Sequence, residues 1–421
     1  MTSGPASLPR AVHGVRGLFL RMAWRNLWRN KKRTLIACAS IFFAVFLAVA
    51  MSAMQTGQHE YMINTAVRFS TGHIQIHGKG YWDKRSLDES MELDSVLFKA
   101  ACGLPSVASV VPRFESFALI SHGNTTKVSP VVGIDPEREN AMTFLASRVI
   151  KGIPLLQWQH GALVAEGFAK LLNADIGDSI VIYGQGYQGV TAAGVVPIVS
   201  IVKYPIPDMN NSGVYLRLAE MQSFFAAPGR ITSIALLLHD DDEATPTAAI
   251  LTRMAGDERE IMTWRQMLPE LLQAIAADDA GTVIMLFILY VVIGFGIFGT
   301  IMMMTAERRH EFGVAIAVGM KRWRLMVITT LEALFISMLG ATMGIIVAIP
   351  VIAYFAHFPI QLGGDYAKAM LAYGMEPILP VSADPLSFLA QGLCVFALGS
   401  ISAIYPILVL RKLDPVRAMH R

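Results

Sequence analysis

The sequence predicts an α-helical membrane protein with four transmembrane helices and a large α/β extracytoplasmic domain. Three observations predict it. The 421-residue chain is 54% hydrophobic and only 16% charged, with a mean hydropathy of +0.48, more apolar than an ordinary soluble domain. Four apolar runs, at 34–54, 281–306, 325–358 and 386–410, reach the roughly 20 residues needed to cross a bilayer. Between the first two lies a long segment, 55–280, in which apolar residues alternate or recur at helical spacing. The net charge of +3 is too small to imply nucleic acid or another polyanion as a partner.

Residues 1–33 form a tail that ends in "LRMAWRNLWRNKKR". Leu20, Trp24, Leu27 and Trp28 share one helical face, while Arg21, Arg25 and Arg29 recur every four residues on another. That is the pattern of a helix in the headgroup layer, with Trp24 and Trp28 at the interface and Arg25 and Arg29 toward lipid phosphates. The alternative is an ordinary positive flank. The polar lead argues against a cleaved signal peptide. Span one (34–54) is bulky through Phe42, Phe43, Phe46, Met51 and Met54. Such a surface either faces lipid or lines a lateral opening for an acyl chain.

The outer segment reads as two subdomains, a β-rich one (156–225) inserted in an α/β one (70–155 and 226–263). Strands are expected at "GHIQIHG" (half-buried), at Val107–Ile120, Thr126–Ile134 and Asp178–Gly184, and in "TAAGVVPIVSIV". Helices are expected at Glu137–Leu145 and Glu166–Leu172, and stalk helices at Gln55–Phe69 and Trp264–Asp279. "GQGYQG" reads as a hairpin turn.

Spans two to four frame a short segment, 307–324, and a short outer loop, 359–385. Span two has Gly294, Gly296 and Gly299, and span three has Gly340 and Gly344, spacings that let helices approach closely. Pro350 in the over-long third span predicts a kink or an interfacial outer part. Lys and Arg crowd the N-terminal flank, the 307–324 segment and the tail 411–421, whereas the loop 359–385 has only Lys368. The positive-inside rule therefore puts both termini and 307–324 in the cytoplasm and the large domain outside.

The segment 307–324 cannot lie in hydrocarbon, where its charges would cost about 15–25 kcal/mol. Arg308 to Val318 has helical spacing, and Gly319 is placed to end the helix. Phe312, Ile316 and Met320 offer apolar knobs for something that docks there. Glu332, acidic and inside span three, is expected to snorkel or to pair with Arg308 or Arg309, with proton coupling as the alternative.

Catalytic and ligand-binding motifs are missing. There is no GxxxxGK[ST] loop, and "HEFGV" lacks the second histidine of a zinc-protease motif. His59, His73 and His77 read as exposed histidines at the stalk base, with no carboxylate or cysteine to complete a metal set. Cys38 and Cys394 fall in spans and Cys102 outside, so no disulfide framework is available.

The stretch "ERRHEFGVAIAVGMKRWRLMVITTLEALFISMLGATMG" resembles the hallmark segment of the FtsX-like, MacB-type (type VII) ABC transporter permeases. The match runs through Arg308, Glu311, Phe312, Gly313, Ala317, Gly319, Lys321, Arg322, Glu332 and Ala333. The tail resembles the family ending through Pro406, Arg411, Asp414, Pro415 and Ala418. "WRNLWRNKKRT", "VVGIDPE" and "ALVAEGFAKLLNADIGDSIVIYG" resemble its approach to span one and its MacB-like core domain. Size and layout are closest to the LolC/LolE lipoprotein-releasing permeases.

The resemblance implies a non-catalytic, multi-pass subunit of the bacterial inner membrane that dimerises with a second copy or a paralogous permease. It implies a separate cytoplasmic ATPase dimer that holds ATP and Mg, with no cofactor and no metal in this chain. The family's coupling helix falls on Arg308, Arg309, Glu311, Phe312, Gly313, Ile316, Gly319, Met320, Lys321 and Arg322. The expected function is mechanotransmission that extracts a membrane-anchored amphiphile, most of all a lipoprotein, with a periplasmic carrier as a further partner. MacB-like efflux of peptides or small amphiphiles, and an FtsX-like relay to a periplasmic partner, are the alternatives.

Overall fold

The computed structural model describes residues 11–372 and 376–414, with side chains for 19–370 and 376–414. Pro415 and Ala418 of the family ending lie outside the described residues. Two units emerge, one of Met1–Glu60, Ala276–Ile360 and Leu379–Arg421, the other of Tyr61–Ile275 and Gln361–Ile378.

The first unit is helical, and four of its helices are long and apolar enough to cross a membrane. We label its helices α1 (Ala11–Arg29), α2 (Lys31–Ala66), α3 (Pro269–Glu307), α4 (Arg309–Ala317), α5 (Arg322–His357), α6 (Pro385–Ser402) and α7 (Ile404–Arg411). Helix α2 runs well past the apolar run 34–54, and one wider turn, Val67–Thr71, continues it. The fourth span is two helices that meet at Ala403. Helix α5 is unbroken through Pro350 to His357.

Small residues set the packing of α5. A Cβ added at Gly340 would stand 2.7 Å from Ile41 Cβ, and one at Gly344 would stand 2.8 Å from Val45 Cβ. The GxxxG stripe therefore seats α2. On α3 a Cβ built on Gly294 meets only Leu398 Cδ2, at 3.8 Å, and nothing described lies within 4 Å of one built on Gly296 or Gly299. Phe287, Phe295 and Met303 of α3 are exposed.

The second unit is built on one ten-stranded sheet. Its strands are β1 (Ile74–Gly78), β2 (Val107–His122), β3 (Thr125–Ile134), β4 (Val149–Gly152), β5 (Ala162–Ala165), β6 (Ser179–Gln185), β7 (Thr191–Val202), β8 (Val214–Arg217), β9 (Ser233–Leu238) and β10 (Arg259–Thr263). The order is β10-β1-β9-β2-β3-β8-β5-β7-β4, with β6 bridging β2 and β7. The pairs β3–β8 and β5–β7 are parallel. Helices Pro136–Thr143 and Glu166–Leu172 form where the spacing expects them. The glycines of "GQGYQG" turn the β6–β7 hairpin, where Gly186 N–H bonds Val190 O at 2.6 Å.

One sheet runs through 156–225 and its flanks, because β8 pairs β3 and β6 pairs β2. Two cores do exist, but they divide within β2. One holds Ile74, Val110, Leu236 and Leu251, the other Phe114, Trp158, Phe168 and Ile182. Strand β1 is buried along its whole length rather than half-buried, since it lies between β9 and β10. The short loop 359–385 is also more than a turn. It contains the helix Gly364–Ala372 and Glu376, which accepts from Tyr61 at 2.9 Å and Arg148 at 2.8 Å.

Candidate functional site

Arg308 leaves helical geometry (φ −93°, ψ 3°) and separates α3 from α4. At the other end Gly319, at φ +101°, takes the left-handed position that favours glycine. Its N–H bonds Ile316 O at 3.0 Å, and Met320 N–H bonds Ala315 O at 3.0 Å. Those two bonds form a Schellman cap. A short helix of nine residues, too short to persist alone in water, is thereby fixed at both ends.

Packing fixes its face, and the face differs from the expectation. Phe312 is 3% exposed and packs with Leu325, Leu410 and Leu413, while Ala315, Ile316 and Met320 close the same cluster. The apolar knobs therefore point into the chain's own α5 and tail, not outward. Gly313 is buried beside Phe312. What α4 presents outward is Arg309, Glu311, Val314, Ala317 and Val318, with Gly319 and Lys321 following. Val318 is 84% exposed. An open groove of about 690 Å³ runs along this side, lined by Arg29, His310, Glu311, Val314, Val318 and Arg324.

A charge network ties α4 to its neighbours. Glu332, 4% exposed, accepts from Asn26 Nδ2 at 2.8 Å and from the Arg308 guanidinium. Arg308 also reaches Glu311 at 3.5 Å, and Arg29 pairs with the same Glu311 carboxylate. Arg33 pairs with Glu307 at the end of α3. Burial pushes the Glu311 carboxyl up, but Arg29 and then Arg308 outweigh it and hold it below the usual carboxylate range. These contacts join α1, α4 and α5 to one another and α2 to α3 at one end. Arg308 meets Glu332, as one of the two expected pairings has it. Asn26, Arg33 and Glu307 were missed. For Asn26 the signal was the polar stripe of α1, which reads as lipid-facing when α1 is taken by itself, whereas Arg33 of α2 and Glu307 of α3 lie far apart in sequence and gave no spacing signal.

Of the α1 residues, Trp24 and Trp28 are partly exposed and stack edge-on at 5.9 Å, with Trp24 also edge-on to Phe335 of α5 at 5.9 Å. Arg25 is exposed, whereas Leu27 is buried. On α2, Phe43 and Met54 are exposed and Phe42, Phe46 and Met51 are half-buried, with Phe42 stacked on Phe46. Arg322 donates to Arg411 O at 3.1 Å.

The histidines correct another expectation. His73 and His77 are buried, not exposed. His73 Nδ1 accepts from Leu238 N–H at 2.9 Å, and His77 Nε2 donates to Gln75 Oε1 at 2.6 Å. Burial pushes His77 down to about 3. His59, on α2, pairs instead with Asp278 of α3 at 2.8 Å.

Two families match the chain. The FtsX-like permease C-terminal family matches residues 283–415. The MacB-like periplasmic core domain family matches 34–254, more than half of the chain. A macrolide export ATP-binding/permease protein MacB of Agrobacterium fabrum is 21% identical over 424 residues, covering 96% of this chain and 60% of that protein. MacB 1/2 of Paracoccus denitrificans is 24% identical, covering 96% of this chain and 58% of that protein. This chain thus spans about 60% of the length of such relatives. The periplasmic region of MacB from Actinobacillus actinomycetemcomitans aligns at 16% identity and TM-score 0.34, covering 48% of this chain and 94% of that one. The extracellular domain of the noncanonic ABC-type transporter YknZ aligns at 13% identity and TM-score 0.32, covering 45% and 99%. The expected closeness to LolC and LolE is not among what these matches show.

Proposed function

This chain belongs to the MacB-like, FtsX-like permease family of ABC transporters, and we propose that it is a permease subunit driven by a separate cytoplasmic ATPase seated on α4. The observation that carries the reading is the construction of α4. A capped helix of nine residues is locked to α1 and α5 by Glu332, Arg308 and Glu311. It offers outward a strip of Arg309, Glu311, Val314 and Val318 beside an open groove. A push on that strip moves several helices together, because a buried ion pair resists separation more strongly than a surface one. Helices α2 and α3 each extend far beyond their apolar runs. Long continuous helices are the means by which such a push travels outward.

In this reading ATP and magnesium sit on the partner, and this chain contributes no catalytic group. Its basic end faces the cytoplasm of a bacterial inner membrane, two permease chains assemble, and the α/β domain is periplasmic. The cargo is a membrane-anchored amphiphile, a lipoprotein first, entering past the bulky face of Phe43 and Met54. Efflux of small amphiphiles is the second reading, favoured by the macrolide-export names of the relatives. Mass spectrometry of the native complex in mild detergent tests both. An ATPase pair with lipidated cargo supports the first reading, and an outer-membrane duct supports the second. A complex without an ATPase, or with a cell-wall hydrolase in place of cargo, overturns the proposal.

A further inference from the structure

The α/β domain contains a partly enclosed cavity of about 180 Å³ that no step of the proposed transport cycle uses. Its aromatic walls include Tyr81, Phe117 and Tyr215, with Tyr215 stacked on Tyr204 at 5.3 Å. Arg113 and Glu115 are two apart on β2 and so share a face of the strand. Arg113, 4% exposed, is fully engaged. It donates to Glu139 at 3.0 and 2.7 Å and to the Ser70 carbonyl. Glu115 is different. Its backbone N–H is bonded to Thr232 Oγ1 at 2.8 Å, but its carboxylate accepts no hydrogen bond among the described residues. Arg85, on the same cavity wall, is held over the Trp82 ring at 3.7 Å.

A partly buried carboxylate without a donor, facing aromatic rings, is an incomplete recognition site. The missing element is a donor to the carboxylate, because Arg113 is spent on Glu139 and Ser70 and Arg85 lies over the Trp82 and Tyr81 rings. Aromatic faces beside a carboxylate suit an organic ammonium, through combined ion pairing and cation–π attraction. Size narrows the class. An apolar cavity of about 150 Å³ holds one benzene, so this one takes a single ring with a short arm.

We propose that this cavity binds a small organic ammonium ligand, its cation on Glu115 and its single-ring body against Tyr81, Phe117 and Tyr215. Phe69 and Ser70, which also line the cavity, belong to the turn that continues α2. The bound ligand therefore rests against the end of the stalk helix. The inference is independent of the cargo and of the ATPase.

The test uses the full chain in lipid nanodiscs, titrated with 2-phenylethylammonium by calorimetry and ligand-observed NMR. The shape-matched 2-phenylethanol and 3-phenylpropionate serve as comparisons. The expected result is saturable binding of the amine, about tenfold tighter than the alcohol, as one charged contact confers, with no binding of the carboxylate. Glu115→Gln is expected to erase the preference for the amine. Non-saturable uptake of the amine, equal binding of amine and alcohol in the unaltered chain, or a preference that survives Glu115→Gln overturns the proposal.

Discussion

Replacing Arg308 with methionine removes the guanidinium from Glu332, which is 4% exposed, and leaves that carboxylate only the Asn26 amide at 2.8 Å. A buried charge left without its partner costs about 3–5 kcal/mol. The cost falls on the attachment of α4, because Arg308 is the residue that joins α4 to α5. Amide hydrogen exchange of Phe312 to Val318 in detergent reads the opening of that helix directly. A loss of that size speeds exchange by about two to nearly four orders of magnitude, since about 1.4 kcal/mol is tenfold. The double variant Arg308→Met, Glu332→Leu removes both charges. It is expected to recover most of the loss, because the penalty lies in the stranded carboxylate and not in the missing bond. Exchange within about tenfold of the unaltered chain in Arg308→Met, or a double variant as labile as the single one, refutes the claim that this pair anchors α4.

Other perturbations follow from the same contacts. Gly344→Leu is expected to lower the melting temperature of the detergent-solubilised chain sharply, because even a Cβ there meets Val45 at 2.8 Å; Gly296→Leu, with nothing described within 4 Å, is expected to leave it nearly unchanged. Gly319→Ala strains a φ of +101° without a steric clash, so it should cost about 1–2 kcal/mol of helix capping, seen as faster exchange confined to the last turn of α4. His77 is held down to about 3 in the folded domain against about 6.5 in an unfolded chain. Its contribution is complete above about pH 6.5 and is lost as pH falls toward 3, at about 1.4 kcal/mol per unit. Denaturant unfolding of the chain between pH 7 and 4 should show that slope, and His77→Phe should flatten it.

Much of this architecture was legible in the residues. Length and hydropathy mark four spans, and Gly319 marks the end of α4, because both depend on local chemistry. The outward face of α4 was not legible. Helical spacing shows that Phe312, Ile316 and Met320 share a side, but whether that side meets a partner or the chain's own Leu325 and Leu410 depends on how α5 and α7 return. The strand order was hidden for a related reason. The parallel pairing of Val131 with Val214 joins strands far apart in sequence, and no local alternation records it. The burial of β1 was hidden because His77 and Gln75 occupy its polar positions and bond each other inside the sheet. Arg113 and Glu139, 26 residues apart, gave no spacing signal at all.

The central claim is that the outward strip of α4 receives the ATPase. A photo-crosslinking residue placed at Val318 tests it most directly, with Leu408, exposed on α7, as the comparison position. The expected result is an ATPase adduct from Val318 and none from Leu408, and loss of substrate-stimulated ATP hydrolysis in Glu311→Arg with membrane insertion intact. No adduct from Val318, together with normal stimulated hydrolysis in Glu311→Arg, would contradict it.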